Sequence, residues 1–98
     1  MKIMAIDYGD AHTGVAISDR TLTLTGFSTV ITAYRPEAVA AEIQRLSAEH
    51  GVTELVLGHP LNMDGTRGPR AEKAEGFAAL LRETTGLPVT LWDERRTT

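Results

Sequence analysis

Three acidic residues follow apolar runs that have the pattern of buried strands. The run Ile3–Ile6 ends at Asp7. A second run, Val89–Trp92, is followed by Asp93 and Glu94. Open α/β sheets place their functional sites at the carboxyl ends of strands, and carboxylates brought together there need a cation to offset their charge. Their hard oxygens suit Mg²⁺ or Mn²⁺, so these acids predict a divalent-metal site. Taken alone, Asp7 fits equally well as a cap of the turn after its strand.

Other polar residues near the first strand have less specific patterns. Asp10 and Asp19 are interpreted as a turn residue and a strand-end residue rather than as ligands. Gly9 and Gly14 bracket a turn, where a backbone without side chains can approach a phosphate closely. His12 lies within that turn and is interpreted as an exposed turn residue, with phosphate contact as the alternative.

A glycine-rich loop and the start of a predicted helix carry three cations. Arg67, Arg70 and Lys73 are spaced by three residues, so a helical start brings the last two onto one face. A helix N-terminus is itself a weak anion site, which makes phosphate contact as good an interpretation as a solvated helix face. Arg95 and Arg96 would extend the positive patch past the acidic pair.

The hydrophobic pattern predicts the elements that position these residues. Strands are expected over 2–7, 14–18, 23–32, 53–57 and 89–92, and helices over 36–50 and 69–85. Pro36 and Pro69 begin the helices, and Gly51 and Gly86 end them. The order β-β-β-α-β-α-β indicates an α/β protein. Three antiparallel strands should be followed by βαβ units that add parallel strands, giving a five-stranded mixed sheet with helices packed on it.

Composition limits the class of protein. The 98 residues suit a single domain, and the lack of cysteine excludes disulfides and thiolate metal sites. No apolar run is long enough to span a membrane, and Asp7 interrupts the plan of a secretory signal, so we expect a soluble cytoplasmic protein. The net charge of −3 argues against non-specific coating of nucleic acid but allows a local basic patch.

Three segments together resemble the YqgF family, also called RuvX, the Holliday-junction-resolvase-like pre-16S rRNA nucleases of bacteria. They are Ala5–Asp19, Leu57–Leu81 and Asp93–Thr98, in the order and spacing of that family. The resemblance implies a ribonuclease H-like fold, which agrees with the element order above. It also implies a nuclease site in which carboxylates hold divalent cations.

Individual residues match the family's motifs by position. The resemblance implies that Asp7 is the first-strand carboxylate and Glu94 the acid of the DER motif, both catalytic and metal-binding, with Asp93 the less favoured ligand. Two cations roughly 4 Å apart would activate a water and stabilise the leaving oxygen. Arg95 and the loop cations would position phosphates. The family often has arginine in place of His12, a change that would weaken phosphate contact there.

The family continues past the DER motif into a helical segment that carries a further acidic ligand, whereas this sequence stops at Thr98. A sheet with helices on one face also needs cover on the other. We therefore expect the single domain 1–98 to be truncated at its C-terminus, weakly active or inactive, and prone to self-association through the uncovered surface.

The leading interpretation is a metal-dependent endonuclease acting on structured nucleic acid, with processing of the pre-16S rRNA 5′ end as the family-level expectation. Resolution of branched DNA is the second substrate; a homodimer would supply the two active sites it needs, although no residue indicates one. Two other classes stay open. The segment Asp7–Gly14 also resembles the first phosphate loop of the actin–hexokinase–sugar kinase superfamily, whose cleft needs two such halves. A non-catalytic module that binds nucleic acid is the remaining class.

Overall fold

Seven elements follow one another in the order β-β-β-α-β-α-β, as predicted from the sequence. The computed structural model describes residues 2–19 and 24–93. The strands are β1 (Lys2–Asp7), β2 (His12–Asp19), β3 (Leu24–Thr32), β4 (Val52–His59) and β5 (Val89–Asp93). The helices are α1 (Pro36–His50) and α2 (Pro69–Thr85).

The strands form one mixed sheet in the order β3-β2-β1-β4-β5. β1, β2 and β3 are antiparallel neighbours, whereas β4 pairs parallel with both β1 and β5. The predicted antiparallel meander and parallel additions are thus confirmed. β1 is the central strand, so a residue at its carboxyl end has neighbouring strands on both sides.

Both helices pack on one face of the sheet. Successive side chains of a strand point to opposite faces, so alternate residues of each strand are buried beneath the helices. One core joins the two layers, and each large apolar side chain buried in it contributes roughly 1.5–3 kcal/mol. Its fully buried members include Met4, Ile17, Val39, Ile43, Leu55, Leu57 and Leu81.

The opposite face of the sheet is open in the part of the chain that the structure describes. Ala5, Ala16 and Val56 line a shallow hollow of about 650 Å³ on this face. At its two edges, the side chains of Val30 and Trp92 are 60% and 49% exposed. Among the described residues this surface is apolar and uncovered.

Proline and glycine set the helix ends as predicted. Pro36 and Pro69 are the first residues of the two helices. Gly51 and Gly86 follow them with φ values of 71° and 70°, a left-handed conformation that costs glycine little. The N–H of Gly86 donates to the carbonyl of Arg82, which closes the last turn of α2.

The strands β2, β4 and β5 are longer than the hydrophobic pattern predicted, the last of them by Asp93 alone. β2 begins at His12 rather than Gly14, and β4 extends to His59 rather than Leu57. His12 is therefore an exposed strand residue, in register with Thr32 of β3, and not a turn residue. A strand ladder is made by backbone groups, so it continues through polar residues that a pattern of apolar side chains leaves out.

Candidate active site

The candidate site lies at the edge of the sheet where the parallel strands end. β1, β4 and β5 run in the same direction, so their carboxyl ends meet at this edge, where open α/β sheets place ligands. Asp7 is the last residue of β1 and Asp93 the last of β5. β1 and β5 are separated by β4, so these two residues lie about 10 Å apart across the sheet.

Asp7 lies between two glycines on the open face. Gly14 of β2 is its partner on one side. On the other side, Gly58 of β4 follows Leu57, the partner of Ile6. The Asp7 side chain is exposed, and all three residues line the hollow of the open face. The glycines leave space around the carboxylate that larger side chains would fill. The sequence indicated a role for Gly14 but none for Gly58.

The same row of residues extends across all five strands. Gly14 pairs with Val30 of β3, and Gly58 pairs with Trp92 of β5. The row therefore has a carboxylate in its centre, a glycine on each side and a large apolar side chain at each edge. The hydrophobic pattern showed each strand separately, and only the register reveals that these five residues are aligned.

The structure does not bring Asp93 onto the face that carries Asp7. Trp92 shares that face, and successive residues of a strand point to opposite faces, so Asp93 lies on the helix side. It pairs there with His59 of β4. Glu94, the other predicted ligand from this segment, lies outside the described residues, as does Arg95. Within residues 2–19 and 24–93, no group of three or more Asp, Glu or His side chains is arranged to hold a metal ion.

The turn between β1 and β2 requires a glycine for steric reasons. A Cβ on Gly9 would lie 2.3 Å from the carbonyl oxygen of His12, closer than any real contact. The Gly9 N–H points to the hydroxyl oxygen of Thr13 at 3.4 Å, and Thr13 is fully buried. The turn predicted at Gly9 is present, but it ends before His12, so Gly14 lies within β2 and does not bracket it. The ladder places His12 on the same face as Asp7.

A second cavity, of about 200 Å³, opens from Asp7 toward the start of α2. Arg70 and Lys73 line it, so two of the cations predicted from the sequence face the candidate site. Gly68 precedes α2 without a side-chain cap, which leaves helix N–H groups for an anion.

Lys73 forms an ion pair with Asp10, the predicted turn residue. This hydrogen bond lowers the pKa of the Asp10 carboxyl and raises the pKa of the Lys73 amine. Both side chains are more than half exposed, so the pair is screened by water and salt. It joins the β1–β2 turn to α2 and closes one side of the cavity.

Tyr8 reinforces the same junction through its ring. It stacks on Phe77 of α2 with the ring centroids 3.9 Å apart and an angle of 6° between the planes. Partial burial raises the pKa of the Tyr8 hydroxyl. The sequence analysis did not predict this contact between Tyr8 and α2.

Glu75 of α2 organises the loop that precedes the helix. Its carboxylate lies 2.7 Å from Nε2 of His59 and accepts two hydrogen bonds from Arg67, whose Nε is also 2.7 Å away. The Arg67 guanidinium, followed by the His59 ring, holds the pKa of Glu75 below its usual range. Arg67, predicted to contact phosphate, is thus bound by a carboxylate. Sequence reasoning did not find Glu75.

The loop itself is ordered by its own hydrogen bonds. Asn62 accepts a bond from the N–H of Gly65 and donates to the carbonyl of Thr66, both at 2.9 Å. Asp64 accepts from the backbone N–H of Thr66 at 3.0 Å. Gly65 has a φ of 88°, a left-handed conformation that glycine adopts at little cost. These bonds therefore fix the position of the backbone immediately before Arg67.

The fold defines the class of protein as ribonuclease H-like. The fold is shared with RuvC of Thermus thermophilus, solved in complex with a Holliday junction substrate, with a TM-score of 0.72 and 15% identity over 97% of this chain and 66% of that one. A ROK hexokinase of Thermus thermophilus matches with a TM-score of 0.64 and 24% identity over 95% of this chain and 35% of that one. At these identities the likeness shows the fold alone.

Sequence comparison identifies the family. The model described as RuvX, Holliday junction resolvase, matches residues 1–98, so the chain belongs to the RuvX family. A relative from Desulfitobacterium hafniense (strain DSM 10664 / DCB-2), bearing the name of a pre-16S rRNA nuclease, is 46% identical over 99 residues, which cover 100% of this chain and 68% of the relative. The chain spans 62% to 72% of the length of such curated relatives. The resemblance found in three segments of the sequence is confirmed.

Neither helix in the described ranges is long and apolar enough to cross a membrane.

Proposed function

We propose that this protein is a metal-dependent endonuclease that hydrolyses phosphodiesters of structured nucleic acid, with the 5′ end of pre-16S rRNA as its substrate. The observation that carries the proposal is the position of Asp7. It is an exposed carboxylate at the end of the central strand, in a hollow between two glycines and beside the cations of α2. Membership of the RuvX family supports the nuclease chemistry, and the name of the relatives supports the rRNA precursor.

The surroundings of Asp7 fit a divalent cation. Carboxylate oxygens are hard ligands that suit Mg²⁺ and Mn²⁺, and Gly14 and Gly58 leave room for a hydrated ion. Asp7 and Glu94 are the proposed protein ligands, with Asp93 ranked behind them because it lies on the other face from Asp7. A bound cation of this kind lowers the pKa of a coordinated water and stabilises the leaving oxygen of a phosphodiester.

Side chains on both sides of Asp7, the cations of α2 on one and His12 on the other, are proposed to position the phosphates. Arg70 and Lys73 line the cavity that opens from Asp7 toward α2. His12 lies on the open face, two residues along β2 from the partner of Asp7. Arg95 is proposed by its place in the family motif. Nucleic acid would thus run over the sheet edge between α2 and the open face.

Branched DNA is the second candidate substrate. It is favoured by the description of the family and by the Holliday junction bound to the Thermus thermophilus RuvC. This substrate would require a homodimer, because a symmetric junction is cut at two positions. We also propose that the protein acts in the cytoplasm, where either nucleic acid would be encountered.

Two other functions share the fold. The match to the ROK hexokinase covers 35% of that enzyme, and one fold hosts many activities, so it does not indicate a kinase. Tight binding of ATP would favour that function. A module that binds nucleic acid without cleaving it is favoured if the wild-type protein binds both substrates and cleaves neither.

The experiment combines cleavage with metal binding. Full-length wild type, Asp7→Asn and Glu54→Gln are incubated with a pre-16S rRNA fragment and a four-way DNA junction in Mg²⁺ or Mn²⁺. Glu54 is a matched control, because β4 carries it on the same open face as Val56 at the far end of the sheet. Asp7→Asn should reduce cleavage by at least about 100-fold, the upper range for groups that only support metal ligands.

Calorimetric titration with Mn²⁺ supplies a readout that does not depend on turnover. Asp7→Asn should weaken Mn²⁺ binding, whereas Glu54→Gln should leave both cleavage and binding at the wild-type level. Equal Mn²⁺ binding by wild type and Asp7→Asn would contradict the proposed metal site. The preferred substrate in the cleavage assay decides between rRNA and branched DNA.

A further inference from the structure

Arg67 holds the carboxylate of Glu75 with two N–H groups. Its Nε lies 2.7 Å from Oε2, and one terminal nitrogen donates to Oε1. Two parallel N–H···O bonds are also the geometry in which a guanidinium binds a phosphate. The Glu75 carboxylate therefore occupies the position that a phosphate would take on Arg67.

The contact is open to solvent on the Arg67 side. The Arg67 side chain is 57% exposed and that of Glu75 28%. Exposed ion pairs contribute little to stability, because water and salt screen them. A polyanion that reaches this surface can thus compete with Glu75 for the guanidinium.

Glu75 has a second donor that does not depend on Arg67. Nε2 of His59 lies 2.7 Å from Oε2, and the His59 side chain is only 15% exposed. If Arg67 moves away, the contact with His59 still holds Oε2, and the partly exposed carboxylate can be hydrated at Oε1. Replacing Glu75 by a phosphate as the partner of Arg67 therefore costs little free energy.

Carboxylates hold two of the three cations that the loop and α2 were predicted to present to phosphate. Arg67 is bound by Glu75, and Lys73 is bound by Asp10. Among the described residues, Arg70 has no ion-pair partner within contact distance. The positive patch next to Asp7 thus carries its own competitors for phosphate.

We propose that Glu75 is an internal competitor that holds Arg67 in reserve and so sharpens the choice of nucleic acid. A loosely bound nucleic acid does not place a phosphate well enough to displace a bidentate carboxylate. A substrate that fits the site places a phosphate well enough to displace Glu75, and it gains the contact with Arg67. Specificity of this kind comes from weakening the wrong complex rather than strengthening the right one. The inference rests on the proposed function, because it needs nucleic acid at this edge.

The decisive variant is Glu75→Gln. Glutamine keeps an acceptor for His59 but loses the charge that competes for Arg67. Glu83→Gln, exposed on the last turns of α2, makes the same change in net charge away from the loop and serves as the control. Binding to a labelled linear DNA duplex and to a four-way DNA junction is measured in EDTA at several KCl concentrations, so the result does not depend on metal or cleavage.

Glu75→Gln should bind the linear duplex about threefold tighter or more, with a slope of log K against log salt steeper by about 0.9, the value for one additional phosphate contact. The preference for the junction should fall. Arg67→Ala alone should leave the salt slope of duplex binding unchanged, because Arg67 makes no phosphate contact in that complex. Adding Arg67→Ala to Glu75→Gln should restore the wild-type slope.

Other results would overturn the inference in recognisable ways. If Glu75→Gln and Glu83→Gln have the same effect, Glu75 is no competitor, and the proposed nuclease still stands on its own assay. If Arg67→Ala alone lowers the salt slope of duplex binding by about 0.9, Arg67 is an ordinary phosphate contact and is not in reserve. Failure of the wild type to bind either DNA, and of the rRNA fragment to be cleaved, would remove the proposed function and this inference together.

Discussion

Asp7 of β1 lies directly opposite Gly14 of β2, and a Cβ added to Gly14 would come 3.9 Å from the Cβ of Asp7. That distance is an ordinary van der Waals contact, so alanine fits beside the carboxylate. A longer side chain would stand over it. The size of the residue at position 14 therefore decides how much space remains around the carboxylate. A small residue there can change the stability of the sheet without blocking access to Asp7.

Two substitutions at Gly14 should separate stability from activity. Gly14→Ala should raise the free energy of unfolding by about 0.5–1 kcal/mol, because glycine is unfavourable inside a strand. Gly14→Leu should still fold but should reduce cleavage and Mn²⁺ binding by covering Asp7. Ala16→Leu places the same side chain on the same face, two residues away, and is the control. Full activity of Gly14→Leu would show that the hollow is not the route to Asp7.

Two glycine-to-alanine substitutions should have opposite effects on stability. In Gly9→Ala, the new Cβ would meet the carbonyl oxygen of His12 at 2.3 Å, so the β1–β2 turn must shift at a cost of about 1–3 kcal/mol. In Gly76→Ala, no atom lies within 4 Å, and alanine in an exposed helix should stabilise by about 0.8–1 kcal/mol. Urea denaturation measures both. A Gly9→Ala protein as stable as wild type would mean that the turn is less constrained than the structure shows.

The sequence predicted the architecture well because the relevant signals are local. Helix ends were readable from Pro36, Pro69, Gly51 and Gly86, whose backbone preferences act within a turn or two. The order of elements along the chain followed from the switch between a two-residue and a helical period. The place of Asp7 followed from one apolar run that ends in an acid. All of these features depend on neighbours in the chain.

The interactions inside the site could not be predicted, because they join residues that are distant in sequence. Glu75 meets His59 across 16 residues and Arg67 across 8, spacings that no helix or strand rule covers. Whether Asp93 shares a face with Asp7 depends on the register of β5 against β4. Register is set by packing of the two strands on the helices, and a hydrophobic pattern can be satisfied with the strands shifted.

Arg70 should be the cation on α2 that contributes most directly to binding. It lines the cavity next to Asp7 and has no ion-pair partner in the described ranges. Arg70→Ala should weaken binding to the four-way DNA junction and lower the salt slope by about 0.9, the value for one lost phosphate contact. Arg45→Ala is the control, since Arg45 is exposed on α1 and engaged by Glu42 and Glu49. Equal effects of the two variants would indicate a general response to charge.

The ion pair between Asp10 and Lys73 should stabilise the protein only within a window of pH. The pKa of Asp10 is lowered from its usual 3.8, so its contribution is present above that value and is lost as the pH falls through the lowered pKa. The pKa of Lys73 is raised from its usual 10.5, so its contribution is lost as the pH rises through the raised pKa. Asp10→Asn should therefore melt below wild type between about pH 5 and 9, and the difference should vanish at both extremes. Because the pair is exposed, 1 M salt should also reduce the difference. A difference in melting temperature that 1 M salt leaves unchanged would show that Asp10 acts through the backbone of the turn and not through its charge.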